Sequence, residues 1–295
     1  MSKHILLAVV LLATLRLDAQ ITRQWVATHN GQGDFNDRFT CVIRDPAGNY
    51  YLGGSTVNPG TDRDFLVLKT DPAGNTLWML QLDGSGQAAD EVSSLALAPS
   101  GDLIATGISK GENTSEDFLT LKVNASGDTL WSRRYDYIGE YDQPNALAVD
   151  AAGNILVTGL SDGDSGAGEN DDYLTLKYDP NGNLLWANRY NGLGDAIDRA
   201  VGIAANAAGQ VFVSGRSDNG QNDDFVTICY DASGVQQWIK LDDRGDRDRA
   251  TALTLDAEGN LLIAGQSSNG DNDDFWTLKY TPAGTLLWQK SYDFV

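Results

Sequence analysis

Tryptophan recurs at a nearly constant interval along this chain of 295 residues. Six of the seven tryptophans are separated by 53, 53, 55, 52 and 50 residues: Trp25, Trp78, Trp131, Trp186, Trp238 and Trp288. A period of this length is typical of repeat folds, in which one unit alone cannot bury its hydrophobic face. The length would also suit two independent domains. The period instead predicts a single array of repeated units.

Each unit contains four candidate β-strands, most completely between residues 145 and 190. In the third segment an aromatic residue and usually a lysine lie on one face, and aliphatic residues or Trp276 lie on the other. The copies of this segment are FLVLKTD (65–71), FLTLKVN (118–124), YLTLKYD (173–179), FVTICYD (225–231) and FWTLKYT (275–281). The second segment is almost continuously apolar, as in ILVTGLS (155–161), and is expected in the middle of a sheet.

Turn sequences separate these segments. They are Asp45-Pro-Ala-Gly48, Asp71-Pro-Ala-Gly74, Asp179-Pro-Asn-Gly182 and Thr281-Pro-Ala-Gly284. Proline suits the second position of such a turn, glycine suits the position where the chain leaves it, and a leading aspartate can accept hydrogen bonds from the turn amides. Each turn therefore joins two antiparallel strands.

Four short antiparallel strands per unit, repeated radially, predict an all-β fold of the β-propeller type. The repeat units, about 38–83, 91–136, 143–190, 199–242 and 249–293, make five four-stranded antiparallel blades. Residues 21–30 are predicted to form one extra Trp-bearing strand. The repeated tryptophans are expected to be buried between blades. Two arrangements remain open: a five-bladed ring with the extra strand at an edge, or a propeller that lacks blades.

The repeat carries a family resemblance. The pattern D-x-x-GN-x-x-x-x-G-x-S, followed by N-D-D-[FY]-x-T-x-K-Y-D-x-x-G-x-x-x-W, resembles the bacterial SBBP β-propeller repeat of secreted and surface proteins. The resemblance covers residues 25–293. It implies a β-propeller in an exported setting, and it implies no catalytic residue because the family has no shared activity.

The first 19 residues have the pattern of a signal peptide. Lys3 and His4 precede an apolar run from Ile5 to Leu15, and the small residue Ala19 precedes Gln20. The run is too short for a permanent transmembrane helix, and no other stretch is long and apolar enough. The sequence therefore predicts a signal peptide at 1–19, a β-propeller domain at 20–295, and a secreted, extracellular or cell-envelope location.

The charge excludes one class of partner. The chain has 21 Lys and Arg against 41 Asp and Glu, a net charge of -20. Such a surface repels the phosphates of nucleic acids. No nucleic acid partner is expected, a protein or glycan partner is compatible with the fold, and the oligomeric state is left open.

An acidic residue or pair precedes the aromatic residue of the third segment in every unit. Calcium is bound by six to eight oxygens, so carboxylate pairs can supply some of its ligands. The weak candidates for calcium ligands are the pairs with the most polar preceding loops: Asp171, Asp172, Asp223, Asp224, Asp273 and Asp274. A second aspartate recurs before the first strand, at Asp37, Asp90, Asp142, Asp198 and Asp248. Since both features recur in every unit, a structural role in the turns is favoured over a metal site, and no other cofactor is expected.

Catalytic side chains are scarce. His29 is the only histidine after the signal peptide, and Cys41 and Cys229 are too few for a zinc cluster and are not expected to form a disulfide. The alternative is a polysaccharide-acting hydrolase that uses two carboxylates, but no acid breaks the repeat symmetry. The sequence therefore predicts a non-catalytic binding or scaffold module. A segment of a larger surface repeat protein is a further alternative.

Overall fold

The computed structural model describes residues 36–58, 62–86, 88–163, 170–193, 197–268, 270 and 272–293. These residues form 20 strands in five four-stranded antiparallel sheets, so the predicted all-β propeller fold of five blades is confirmed. The predicted signal peptide, the extra strand 21–30 with Trp25, and His29 lie outside the described residues.

The sheets are numbered as blades in chain order. Blade 1 contains β1 (Arg38–Arg44), β2 (Tyr50–Val57), β3 (Arg63–Thr70) and β4 (Thr76–Leu82). Blade 2 contains β5 (Glu91–Leu97), β6 (Leu103–Lys110), β7 (Glu116–Val123) and β8 (Thr129–Tyr135). Blade 3 contains β9 (Asp142–Val149), β10 (Ile155–Asp162), β11 (Asp171–Tyr178) and β12 (Leu184–Tyr190). Blade 4 contains β13 (Asp198–Ala205), β14 (Val211–Asp218), β15 (Asp223–Tyr230) and β16 (Gln236–Asp242). Blade 5 contains β17 (Asp248–Leu255), β18 (Leu261–Ser268), β19 (Asp273–Tyr280) and β20 (Leu286–Tyr292).

Strands are hydrogen-bonded in chain order within each blade, so the apolar second segments are central strands as predicted. The first strands of consecutive blades pack against one another and lie on the inner side. The predicted turns are present: Gly182 N donates to Asp179 O at 2.9 Å, and the Asp179 carboxylate accepts from the amides of Asn181 and Asn183.

The apolar core lies between the blades. Each of four clusters of buried side chains joins two consecutive blades. The alternation predicted for the third strand is seen at the junction of blades 4 and 5, where Phe225 of β15 meets Trp276 of β19 with ring centroids 4.7 Å apart. The aromatic side of one blade thus packs on the aliphatic side of the next.

The repeated tryptophan fastens each blade to the next one, in a contact that we call the Trp clasp. Trp186 Nε1 donates to Ala232 O in the turn between the third and fourth strands of the following blade, at 3.3 Å. A Cβ atom on Gly234 in that turn would lie 2.8 Å from the Trp186 ring. Because Gly234 also has a φ of 88°, both its conformation and the close ring require glycine.

The Trp clasp recurs at every junction between described blades. Trp78 Nε1 donates to Ala125 O, Trp131 Nε1 to Pro180 O, and Trp238 Nε1 to Pro282 O, over 3.0 to 3.1 Å. In the first three blades a lysine of the third strand also donates to the same carbonyl. The four rings are only partly buried, which corrects the expectation of full burial, because one side of each fourth strand faces solvent.

Blade 5 presents the corresponding face without such a neighbour among the described residues. Trp288 is 37% exposed, Phe275 is 67% exposed and Tyr292 is 60% exposed, whereas Phe225 in blade 4 is fully buried. In the described part of the chain, blades 5 and 1 do not pack together as consecutive blades do. The chain therefore offers an internal comparison between clasped and unclasped tryptophans.

We predict that Trp186→Ala lowers the free energy of unfolding by about 2 to 4 kcal/mol, somewhat less than a fully buried aromatic truncation because the ring is partly exposed. The matched variant Trp288→Ala is expected to cost less than about 1 kcal/mol, because among the described residues no following blade packs on its ring, which is 37% exposed. Urea denaturation followed by circular dichroism measures both. Equal losses in the two variants would contradict the Trp clasp.

Candidate functional site

The two members of each acidic pair do not share a site. They are successive residues at the start of a β-strand and point to opposite sides. Asp223 accepts hydrogen bonds from Arg216 Nη1 at 3.0 Å and from Arg249 Nε. Asp224 is 3% exposed and accepts from Asn219 Nδ2 at 2.7 Å. The predicted calcium candidates are therefore divided between two environments.

The other two pairs are separated in the same way. Asp171 forms an ion pair with Arg199 over 3.5 Å, and Asp172 forms one with Arg189 over 2.5 Å. Asp273 forms an ion pair with Arg247 over 3.3 Å, while Asp274 is buried. The first member of each pair thus meets an arginine near the end of the blade, and the second is enclosed by the protein.

The aspartate that precedes each first strand ties down a loop, as predicted. Asp90 accepts from the amides of Gly84 and Lys110, and Asp142 accepts from the amide of Tyr137 at 2.7 Å. Asp198 accepts from the Gly192 amide. This end of the blades, where first and third strands begin and second and fourth strands end, is called the mouth below.

Directly after these repeated aspartates, one position at the mouth differs from blade to blade. It is occupied by Arg38, Glu91, Gln143, Arg199 and Arg249 in blades 1 to 5. Most of these side chains form ion pairs across a blade junction, such as Arg38 with Glu91 and Arg249 with Asp223. This feature was not predicted from the sequence. The sequence pattern that marks it is a residue that differs between units and directly follows an aspartate present in every unit.

Three arginines meet in a cleft of about 530 Å³ between blades 4 and 5. The cleft is lined by Arg216, Arg247 and Arg249, by Asp218, Asp223 and Asp246, and by Asn222 and other polar side chains. The side chains of the three arginines are 18%, 45% and 35% exposed, respectively. Their guanidinium groups therefore reach solvent while carboxylates hold them in place.

Several buried carboxylates at the blade junctions have raised pKa values. Burial is the main cause for Asp142, whose pKa rises to about 7, and the nearby carboxylates of Asp117 and Asp136 raise it further. Burial also raises the pKa of Asp198 to about 6, with an added contribution from Asp172. In contrast, hydrogen bonds from Asn183 lower the pKa of the turn residue Asp179.

Neither cysteine belongs to this site. Cys41 and Cys229 are free thiols, as the sequence predicts. Burial is the main cause that raises the pKa of the Cys229 thiol, to about 12, so it is not ionised near neutral pH.

We predict that Asp198→Asn stabilises the protein more at pH 8 than at pH 4.5. Because the pKa of Asp198 is raised on folding, the folded state binds the proton more tightly, and stability falls as pH rises from about 4 to above 6. A shift of this size corresponds to roughly 2 to 3 kcal/mol at most. Urea titrations of both proteins across this pH range measure the difference.

The control for this pH effect is Asp179→Asn. The pKa of Asp179 is lowered on folding, so its contribution is present at neutral pH and is lost as pH falls, which is the opposite sign. If the difference between wild type and Asp198→Asn did not depend on pH, the burial of an ionised carboxylate would not be the cause.

Comparison with known proteins supports the fold. The SBBP family, described as a beta-propeller repeat, matches residues 130–166. No curated protein matches the chain. A protein of unknown function from Bacteroides caccae has a similar structure, with a TM-score of 0.52 and 15% identity over 87% of this chain and 82% of that one.

Two further similar structures have named functions. The periplasmic gluconolactonase of Pseudomonas aeruginosa has a TM-score of 0.54 and 16% identity, over 85% of this chain and 68% of that one. Chaetomium thermophilum Sqt1, bound to the N-terminus of ribosomal protein L10, has a TM-score of 0.51 and 13% identity, over 82% of this chain and 58% of that one. Likeness at this level of identity concerns the fold alone. The chain is thus a β-propeller protein that contains the SBBP repeat.

Proposed function

We propose that the protein is an exported binding module that takes a glycan ligand in the cleft between blades 4 and 5. The observation that carries this proposal is the convergence of Arg216, Arg247 and Arg249 on one cleft. These arginines occupy positions that are not repeated in every blade, whereas the residues that hold the propeller together recur. Residues that break a structural repeat at an open end of the fold are suited to ligand recognition.

The chemistry of the cleft favours an acidic saccharide. Guanidinium groups bind carboxylates and sulfates through paired, charge-assisted hydrogen bonds. The carboxylates of Asp218 and Asp246 and the amide of Asn222 also line the cleft and can accept from or donate to sugar hydroxyls. A sugar that carries a carboxylate would match both groups, and its size suits a cleft of about 530 Å³.

The state of the carboxylates favours binding over catalysis. The Oδ2 atom of Asp223 accepts hydrogen bonds from two arginines, Arg216 and Arg249, and is therefore committed to these contacts. A carboxylate-based glycosidase needs a second acid that holds a proton near neutral pH. The acids with the most raised pKa values, Asp142 and Asp198, are at most 1% exposed and do not line the cleft. We therefore propose that the protein binds its ligand without cleaving it.

Export is part of the proposal and is supported by the sequence of residues 1–19. The described part of the chain contains no helix with the length and apolar character needed to cross a bilayer. We propose a secreted or cell-envelope location. We expect the mature protein to begin at Gln20 when the full chain is expressed with its natural leader, and N-terminal sequencing tests this. An uncleaved protein retained inside the cell would contradict export.

We predict that the protein binds oligogalacturonate, an oligosaccharide whose units carry carboxylates, and that Arg247→Ala and Arg249→Ala each weaken the affinity about tenfold. This loss corresponds to about 1.4 kcal/mol, as expected for a charge-assisted hydrogen bond. Isothermal titration calorimetry measures the affinity, which is also expected to fall with added salt. Thermal melts verify that the variants remain folded.

The matched control is Arg44→Ala, because Arg44 lies at the end of β1 away from the mouth. Its affinity is expected to equal that of wild type. The proposal fails if neither acidic nor neutral oligosaccharides bind, or if Arg247→Ala and Arg249→Ala bind as well as Arg44→Ala. Release of new reducing ends during incubation would instead favour the hydrolase alternative.

A further inference from the structure

Three carboxylates from two blades meet at the junction of blades 4 and 5. Asp224 is the second residue of the third strand of blade 4, Asp243 follows its fourth strand, and Asp248 begins the first strand of blade 5. Carboxylate oxygens of the three side chains lie within 4.8 Å of one another. Asp243 is exposed, whereas Asp224 and Asp248 are 3% and 0% exposed. We call this set the junction cluster.

One buried oxygen of the junction cluster accepts no hydrogen bond. The Oδ2 atom of Asp224 accepts from Asn219 Nδ2, and the Oδ2 atom of Asp248 accepts from Arg244 N, each at 2.7 Å. The Oδ1 atom of Asp224 is buried and has no hydrogen-bond partner, whereas Asp248 also interacts with the Ser267 hydroxyl. A buried carboxylate oxygen without a partner is costly, and it costs more when two other carboxylates lie beside it. A positive charge beside the three carboxylates would therefore stabilise the folded protein.

In blades 2 and 3 an arginine supplies positive charge at the equivalent place. Arg134 forms an ion pair with Asp117 over 2.9 Å, and Arg189 forms one with Asp172 over 2.5 Å. Blade 4 has Leu241 at this position, and Leu241 is 45% exposed. The guanidinium of Arg244 lies over the Trp276 ring, 5.6 Å from its centroid. No guanidinium is hydrogen-bonded to the junction cluster in the described residues.

We propose that Asp224, Asp243 and Asp248 bind a calcium ion that joins blade 4 to blade 5. Calcium prefers carboxylate oxygens and completes its six to eight ligands with water and backbone carbonyls. The ion would contact one carboxylate oxygen from each of the three side chains and offset their mutual repulsion. Sites in extracellular proteins commonly bind calcium in the range of about 0.1 to 1 mM.

The acidic clusters at the other blade junctions are weaker candidates for a calcium site. Asp64, Asp83 and Asp90 form a similar group, but both oxygens of Asp90 accept from backbone amides. Asp117, Asp136 and Asp142 also meet, but Arg134 already supplies a positive charge there. The proposal is thus specific to the junction of blades 4 and 5. It does not depend on the glycan proposal.

The test compares thermal melts of the whole protein at pH 8 in 10 mM calcium chloride and in EDTA. Wild type is expected to melt several degrees higher with calcium, because the ion binds the folded state. Asp243→Asn removes an exposed ligand and is expected to abolish this shift. Asp246→Asn, in the same loop but outside the junction cluster, removes the same charge and is expected to retain it.

A second variant separates a calcium site from a structural cluster of acids. Leu241→Arg places at blade 4 the guanidinium that blades 2 and 3 carry, so it is expected to raise the melting temperature in EDTA and to remove the response to calcium. Binding itself is measured with terbium ions, whose luminescence is excited through Trp276 and is reversed by added calcium.

Three results would overturn the proposal. These are equal melting of wild type in calcium and EDTA, equal calcium responses of Asp243→Asn and Asp246→Asn, and a full calcium response in Leu241→Arg. Any of them would show that the junction cluster is neutralised without the ion.

Discussion

The Trp clasp is the contact on which the rest of the structure depends. A blade of four strands exposes two apolar faces, and it is stable only when neighbouring blades cover them. The indole of one blade packs on the glycine turn of the next and donates to its backbone, so burial and a directed hydrogen bond act at one place. The Trp clasp therefore fixes the relative position of consecutive blades and also stabilises the contact between them. Blade 5, whose Trp288 has no clasp among the described residues, exposes the face that the other blades bury.

The residues proposed to bind ligands lie at the opposite end of the blades from the Trp clasp. The turns that receive the tryptophans lie at one end of the blades, while the variable arginines and the buried aspartates lie at the mouth. At the mouth the repeated aspartates tie the loops, and the position beside them is free to vary. The cleft between blades 4 and 5 and the junction cluster are both products of this variation. The cleft depends on Arg216 and Arg247, whose positions hold other residue types in the other blades, and the junction cluster depends on Leu241, where blades 2 and 3 have arginine.

Much of the fold could be predicted from the sequence because its causes are local and repeated. The Trp period gave the blades, and the alternation of the third strand gave the two faces that the structure pairs as Phe225 and Trp276. The same alternation implies that Asp223 and Asp224 point to opposite sides of their strand, and the structure gives them different partners. The partners of these residues could not be predicted, because Asp248 and Arg249 come from the next blade. Only the packing of blades brings them within reach.

A double-mutant cycle on Trp186 and Gly234 tests the Trp clasp most directly. These residues lie in different blades, so their energetic coupling reports contact between blades and excludes the local strain of each substitution. Trp186→Ala, Gly234→Ala and the double variant are compared by urea denaturation. We expect a coupling energy of at least about 1 kcal/mol, because both substitutions break the same contact. Additive losses would show that the indole and the glycine turn do not stabilise each other.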